Sequence, residues 1–283
     1  MSSAFTALQH LLPQHALSRL AGRLAESRRP WLRDRMIRRF AAAYAVDLSE
    51  AERQIGQFAS FNDFFTRELK PGARPLADAR QFILSPADGA ISQLGTITAG
   101  RIVQAKGRDY SVAEILGGNG AEAARFEGGA WMTIYLSPRD YHRVHMPATG
   151  TLAATTYLPG KLFSVNTATA AGVDKLFARN ERLACLFDGP DGRFASIMVG
   201  AMIVAGIDTV WPSKHRTHAP GLLHEDFRGT GPALGAGAEM GRFYLGSTVV
   251  LLFEPGRVEW LDGLATGTVL RMGQAIGKRL SGG

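Results

Sequence analysis

Hydrophobic positions along this chain keep a helical spacing near the N-terminus and shift to strand-like runs further on. Phe5, Leu8 and Leu12 recur at i, i+3 and i+7, and Leu17, Leu20 and Leu24 do the same after Pro13, the repeat of an amphipathic helix. A second helix is predicted from Pro30, a residue tolerated in a first helical turn. Its apolar side is Leu32, Met36, Ile37, Phe40 and Tyr44, with Arg33, Arg35, Arg38 and Arg39 around it. From residue 58 the texture changes. Phe58, Phe61, Phe64 and Phe65 crowd a short stretch ending in Arg67, and Lys70-Pro71-Gly72 with Arg74-Pro75 makes a turn-rich connector. After Ser85 short runs of Val, Ile, Leu and Thr are broken by glycine, which predicts strands over 90–97, 131–136, 196–207 and 248–253. Short helices are expected at 112–116 and 173–177. The pattern predicts an α+β fold: an N-terminal helical segment, residues 1–57, before a β-rich core, residues 58–283. Ala265-Thr266-Gly267-Thr268-Val269 and Gly273-Gln274-Ala275-Ile276-Gly277 faintly suggest the paired turns of a lipoyl-like barrel-sandwich.

Composition and charge narrow the picture. A 46% hydrophobic content and 33 glycines in 283 residues describe a folded chain with many turns. The single cysteine, Cys185, excludes an internal disulfide and reads as a small buried residue. A reducing cytoplasmic setting fits it. Residues 1–46 hold eight arginines (Arg19, Arg23, Arg28, Arg29, Arg33, Arg35, Arg38 and Arg39) against Glu26 and Asp34, six of the chain's seven net positive charges. Charge gathered in one terminal segment is not the spread expected of a nucleic-acid groove. Beside an apolar stripe it suits a helix lying in a membrane interface, while an ordinary surface helix packed by its stripe would look the same. No apolar run reaches the ~20 residues that cross a bilayer, and no secretory signal pattern opens the chain. The expectation is a peripheral protein.

Three segments hold candidate chemistry. Ser85-Pro86-Ala87-Asp88-Gly89 taken alone is a turn. In Ser137-Pro138-Arg139-Asp140-Tyr141-His142-Arg143-Val144-His145-Met146-Pro147, Ser137 as N-cap and Pro138 in a first turn predict a short helix with His142 and His145 on one side. Two histidines so placed are metal ligands, acid/base groups or polar packing, and the spacing does not choose. The third segment, Leu245-Gly246-Ser247-Thr248, leads into the apolar run Val249-Val250-Leu251-Leu252-Phe253. A bulge at a strand mouth is one reading. The other is chemical: the Ser247 hydroxyl can attack the carbonyl carbon of Gly246, turning the peptide into an ester. Glycine obstructs little there, and adjacency removes most of the entropic cost. A base must take the hydroxyl proton, and an Asp-oriented His is the usual solution.

Taken in order, these pieces resemble the phosphatidylserine decarboxylase family. They are joined by Gly160-Lys161-Leu162-Phe163-Ser164-Val165-Asn166, Asn180-Glu181-Arg182 and Glu239-Met240-Gly241-Arg242-Phe243. Residues 1–57 carry none of the recognisable motifs. The resemblance implies that Ser247 is the self-cleaving residue, His145 its base, Asp88 the group that orients that imidazole, and His142 a participant in decarboxylation. It implies cleavage between Gly246 and Ser247 into chains 1–246 and 247–283. The cofactor would be a pyruvoyl group made from Ser247, which forms a Schiff base with phosphatidylserine and releases carbon dioxide to leave phosphatidylethanolamine. No metal is required. The partners implied are phosphatidylserine, the cytoplasmic face of the cell membrane, and the two cleaved chains as a heterodimer, or a dimer of such pairs.

Other readings remain at this stage. A serine hydrolase could use Asp88, His145 and Ser247, although no nucleophile-elbow pattern surrounds the serine. A metal site could use His142, His145, His215 and His218, although no acidic ligand motif accompanies them. A non-catalytic lipid-binding module held by its basic helices would stay a single chain.

Overall fold

The computed structural model describes residues 14–105, 107–201, 206–214, 219–244 and 247–280, with only the backbone of 14–17, 19, 167 and 168. The helix expected over Phe5, Leu8 and Leu12, the pair His215 and His218, and residues 245–246 lie outside that description. Gln14–Ala25 and Pro30–Tyr44 are helices, with Pro30 in a first turn as expected and Ala45 closing the second in a left-handed conformation. A third short helix, Phe61–Phe65, starts at Ser60, whose hydroxyl accepts the Asp63 N–H at 3.1 Å.

The second helix corrects one expectation. Apart from Tyr44, its stripe does not face outward. Ile37 and Ala41 are buried in one cluster with Phe58, Phe61, Phe64 and Phe65, and Met36 and Phe40 pack against it. The Phe40 ring lies 5.1 Å from Phe61 and 5.7 Å from Phe65, edge-on. The phenylalanine-rich stretch is the stripe's partner, and burying such side chains stabilises by ~1.5–3 kcal/mol each. Exposed instead are Leu20, Leu24, Trp31, Tyr44 and Leu48.

The core is a nine-stranded antiparallel sheet. Its order is Leu223–Asp226, Gly150–Leu158, Arg182–Gly189, Gly192–Gly200, Ser247–Phe253, Ala130–Leu136, Gly89–Thr96, Val269–Leu270, with Ala233–Leu234 also on Gly150–Leu158. Apolar clusters cover both faces. Along Ser247–Phe253, Val249, Leu251 and Phe253 enter one cluster and Val250 and Leu252 the other, the two-residue period of a strand buried on both sides. The ends of this sheet do not pair with each other among the described residues, so no barrel closes. The turns at 265–277 serve instead to bring Val269–Leu270 to Gly89–Thr96, and Ala275–Arg279 to Phe82–Leu84 and Val258–Trp260.

Over the face holding Val249 and Leu251 lies a smaller sheet of Gly206–Thr209, Glu239–Tyr244 and Arg143–His145; its Val144, Met240 and Phe243 share their cluster. The predicted strand 196–207 resolves into Gly192–Gly200 and Gly206–Thr209, with 202–205 outside the description. The helix expected at 173–177 is two short ones, Thr167–Gly172 and Leu176–Arg179, separated where Lys175 turns left-handed at φ 49°.

Candidate active site

Ser247 opens the central strand with Leu136 opposite it on one side and Gly200 on the other. It is fully buried, and its Oγ has no hydrogen-bond partner among the described residues. Strand period places it on the face of Val249 and Leu251, the face covered by the histidine-bearing sheet. A buried hydroxyl without a partner is costly, and its persistence marks a group kept for chemistry or strain.

The histidine segment is not a helix. Ser137 forms a turn instead, in which its N–H and hydroxyl both donate to the Asp140 carboxylate at 2.7 Å. Beyond it Arg143–His145 is a strand paired with Glu239–Tyr244. The signals for an N-cap and for this turn are the same residues, and the strand partner decided between them. His142 and His145, three residues apart in extended chain, therefore lose the common side a helix would have given them.

Their surroundings differ accordingly. His142 is fully buried against the Phe65 ring, 4.1 Å between centroids. Its Nδ1 lies 2.8 Å from the Asp140 carbonyl, which makes Nδ1 the protonated nitrogen. Nε2 then holds a lone pair with no partner among the described residues. Burial, reinforced by the nearby Arg67 cation, drives its pKa down to about 3. The backbone carbonyl of His142 accepts the Phe243 N–H at 3.0 Å. Leu136 opposes Ser247, and the 137–141 turn leads from the end of that neighbouring strand to His142 and the small sheet.

His145 is held by its ring nitrogens. Nδ1 donates to the Gly237 carbonyl at 2.8 Å, and Nε2 accepts from the Tyr141 hydroxyl at 3.1 Å. Burial holds its pKa below the ordinary histidine range, opposed by that carbonyl and by the charges of Glu239 and Asp88. It is neutral at pH 7, the form that accepts a proton.

Among the described residues Asp88 makes no hydrogen bond to this imidazole. Its carboxylate takes the Arg74 guanidinium, Nε at 2.9 and 3.1 Å and Nη2 at 2.6 Å, together with the Met272 N–H at 2.8 Å. Arg74 is shared with Glu50 at 2.8 Å. The paired fork outcompetes a histidine for the oxygens, and the Gly237 carbonyl supplies the orientation in its place. Asp88 reaches His145 through charge. The Asp-Gly pair is also more than a turn: a Cβ on Gly89 would stand 2.4 Å from the Tyr135 carbonyl, so glycine lets this strand close on its neighbour.

Four participants had no role assigned from the sequence: Arg74, Tyr141, Gly237 and Asn180. A backbone carbonyl such as that of Gly237 leaves no residue signature. Asn180 explains two of the joining motifs. Fully buried, it accepts the Phe163 N–H at 3.1 Å and donates to the carbonyls of Phe163 and Gly200, both at 2.9 Å. Gly200 is the residue opposite Ser247, so Asn180 braces the strand beside the reactive serine. A Cβ on Gly160 would fall 2.5 Å from the backbone of residues 179–181, which is why a glycine stands there.

A buried serine hydroxyl directly after a glycine, on the sheet face covered by the strand that carries a neutral histidine, offers the groups that acyl transfer within the chain would need. Comparison with known proteins supplies the rest. A family model described as phosphatidylserine decarboxylase matches residues 61–278. A second, described as PSD, matches residues 4–45, so the N-terminal segment carries a pattern that inspection of its residues did not disclose. The phosphatidylserine decarboxylase proenzyme of Azotobacter vinelandii is 55% identical over 95% of this chain and 96% of its own length. That of Bordetella pertussis is 53% identical over 96% and 93%. The chain belongs to the phosphatidylserine decarboxylase family: it is a pyruvoyl-dependent carboxy-lyase made as a proenzyme that is cleaved into two chains.

Proposed function

We propose that the cut falls between Gly246 and Ser247 and that Ser247 becomes the pyruvoyl group. The observation that carries this reading is the Ser247 Oγ, buried and unpartnered at the mouth of the central strand. His145 takes the hydroxyl proton at Nε2 after the Tyr141 contact yields, and Asp88 and Glu239 stabilise the imidazolium so formed. Oγ attacks the Gly246 carbonyl carbon and the peptide becomes an ester. Loss of the α-proton expels the Gly246 carboxylate and leaves dehydroalanine. Its imine tautomer takes up water and releases ammonia.

The buried, enclosed place of Ser247 fits the group it would bear, which supplies an electron sink for the loss of carbon dioxide from the serine headgroup. His142 serves that step. Its Nε2 lone pair receives a proton when the substrate's negative charge offsets the burial that disfavours its cation, and returns it after carbon dioxide leaves.

The protein works peripherally, at the cytoplasmic face of the cell membrane. No described helix is long and apolar enough to cross a bilayer, and the exposed Leu20, Leu24, Trp31 and Tyr44 stand among the N-terminal arginines. Intact mass tests the maturation reading. Ser247→Ala stays one chain, His145→Ala and Asp88→Asn slow cleavage by roughly 10²-fold or more, and His142→Ala matures but decarboxylates poorly. Full cleavage of Ser247→Ala would refute the assignment, and an uncleaved His142→Ala beside a maturing His145→Ala would reverse the two histidines.

A further inference from the structure

Three arginines with largely buried side chains stand among the candidate site's residues, and two of them are satisfied. Arg74 is held by Asp88 and Glu50. Arg143 donates from Nε to the Thr66 carbonyl, from Nη1 to Glu239 and from Nη2 to Glu68, at 2.8–2.9 Å. Arg67 differs. Only 3% exposed, it makes a single 3.3 Å hydrogen bond among the described residues, from Nη2 to the Arg139 carbonyl, and its guanidinium lies 5.4 Å from the Phe64 ring centre. Nε and Nη1 have no partner, leaving three N–H bonds of a permanent cation without an acceptor. An unpaired buried charge is costly. No carboxylate offsets it by contact, since Asp88, whose charge it feels, is already in the Arg74 fork.

The position of this cation is informative. Its Nη2 bonds the carbonyl of Arg139, three residues before His142, Phe65, two residues before Arg67, lies against the His142 ring, and His142 Nε2 is likewise buried and, among the described residues, unpartnered. Two orphaned polar groups in one neighbourhood, a permanent cation and a neutral lone pair, suit a ligand bearing both an anion and a proton donor. Phosphatidylserine offers an ammonium and two anions, the carboxylate and the phosphodiester. A guanidinium on the carboxylate would stabilise the charge that must flow away as carbon dioxide leaves, favouring the ground state over the transition state. The phosphodiester keeps its charge throughout, so pairing with it binds both states equally and opposes nothing.

We propose that Arg67 binds the phosphodiester of the phosphatidylserine headgroup and so sets how far the serine moiety enters toward Ser247 and His142. The proposal rests on the family's substrate. The test compares short-chain phosphatidylserine with an O-alkyl serine of matched length, which keeps the amine and carboxylate and lacks the phosphate. On wild-type enzyme the KM for phosphatidylserine should be at least about tenfold lower, the size of one charged hydrogen bond. A ratio near one overturns the proposal whatever the variants do. Arg67→Gln, confirmed as two chains by mass, should raise the phosphatidylserine KM about 10- to 100-fold with kcat little changed, and should abolish the preference over O-alkyl serine. Arg67→Lys, which keeps the charge but loses the planar fork, should fall between, and it carries the test if the glutamine variant stays unprocessed. Equal losses on both substrates would assign Arg67 to the carboxylate and overturn the proposal. Absence of two chains or of decarboxylation in the wild type would instead strike at the maturation reading.

Discussion

His142 carries a consequence for stability as well as for chemistry. Folded, it resists protonation down to about pH 3, whereas an unperturbed histidine titrates at 6.5. Between these values the unfolded chain takes up a proton that the folded chain refuses. Stability from this source is therefore complete above about pH 6.5 and falls as pH drops through the window, by up to ~1.4 kcal/mol per pH unit. Denaturant unfolding of cleavage-blocked Ser247→Ala at pH 7, 6, 5 and 4 should thus lose more stability than the same protein with His142→Phe. Equal pH slopes would show that the imidazole titrates normally. The residue scale is also where the sequence was least informative. The motifs pointed to Asp88, His142, His145 and Ser247, but pairings such as Arg74 with Asp88, 14 residues away, or Gly237 with His145, 92 residues away, join separate segments of the chain. Such contacts depend on tertiary closure, and no local spacing encodes them.

At the scale of elements, the central strand was legible because both of its faces are buried. Apolar clusters above and below make Val249 to Phe253 an unbroken apolar run, a signal that survives without context. The histidine turn was not legible, because Ser-Pro followed by Asp suits a helix start and a closed turn alike. Asn180 belongs to this scale. Its side chain joins the loop at Phe163 to Gly200 and so to the strand beside Ser247. Asn180→Ala leaves buried backbone groups unsatisfied, at about 1–3 kcal/mol each. We expect a lowered Tm together with slowed self-cleavage, measured by calorimetry and by the rate at which the two chains appear. Asn180→Asp should restore the bond from the Phe163 N–H but not those to the carbonyls. A variant with lowered Tm and unchanged cleavage would separate the brace from the serine.

At the scale of the whole molecule, the N-terminal helices are structural, and in the proposed reading they also seek the membrane surface. Ile37 and Ala41 are committed to the phenylalanine cluster, and through Phe40 and Phe65 that cluster reaches His142. Removing residues 1–46 would therefore disturb the active site, so membrane binding is better probed by charge. Arg35, Arg38 and Arg39 changed to glutamine should weaken co-sedimentation with anionic vesicles, more at low salt than at high salt, since screening already suppresses the electrostatic share there. Self-cleavage should be unaffected. Binding that ignores both the substitutions and the salt would place the contact elsewhere.

The location of Ser247 at the head of the central strand bears on the protein's life history. Ladders on both sides join residues 247–253 to neighbours that belong to the other chain after the proposed cut, and Val269–Leu270 and Ala275–Arg279 add further seams between the two. The break severs covalent continuity without exposing an edge, so the small piece stays captive in the sheet. Assembly is thereby made unrepeatable. A proenzyme finds its fold as one molecule, at a rate independent of concentration, whereas the mature pair once unravelled must meet again as two. The protein acquires its catalytic group in the same event that ends its ability to refold alone.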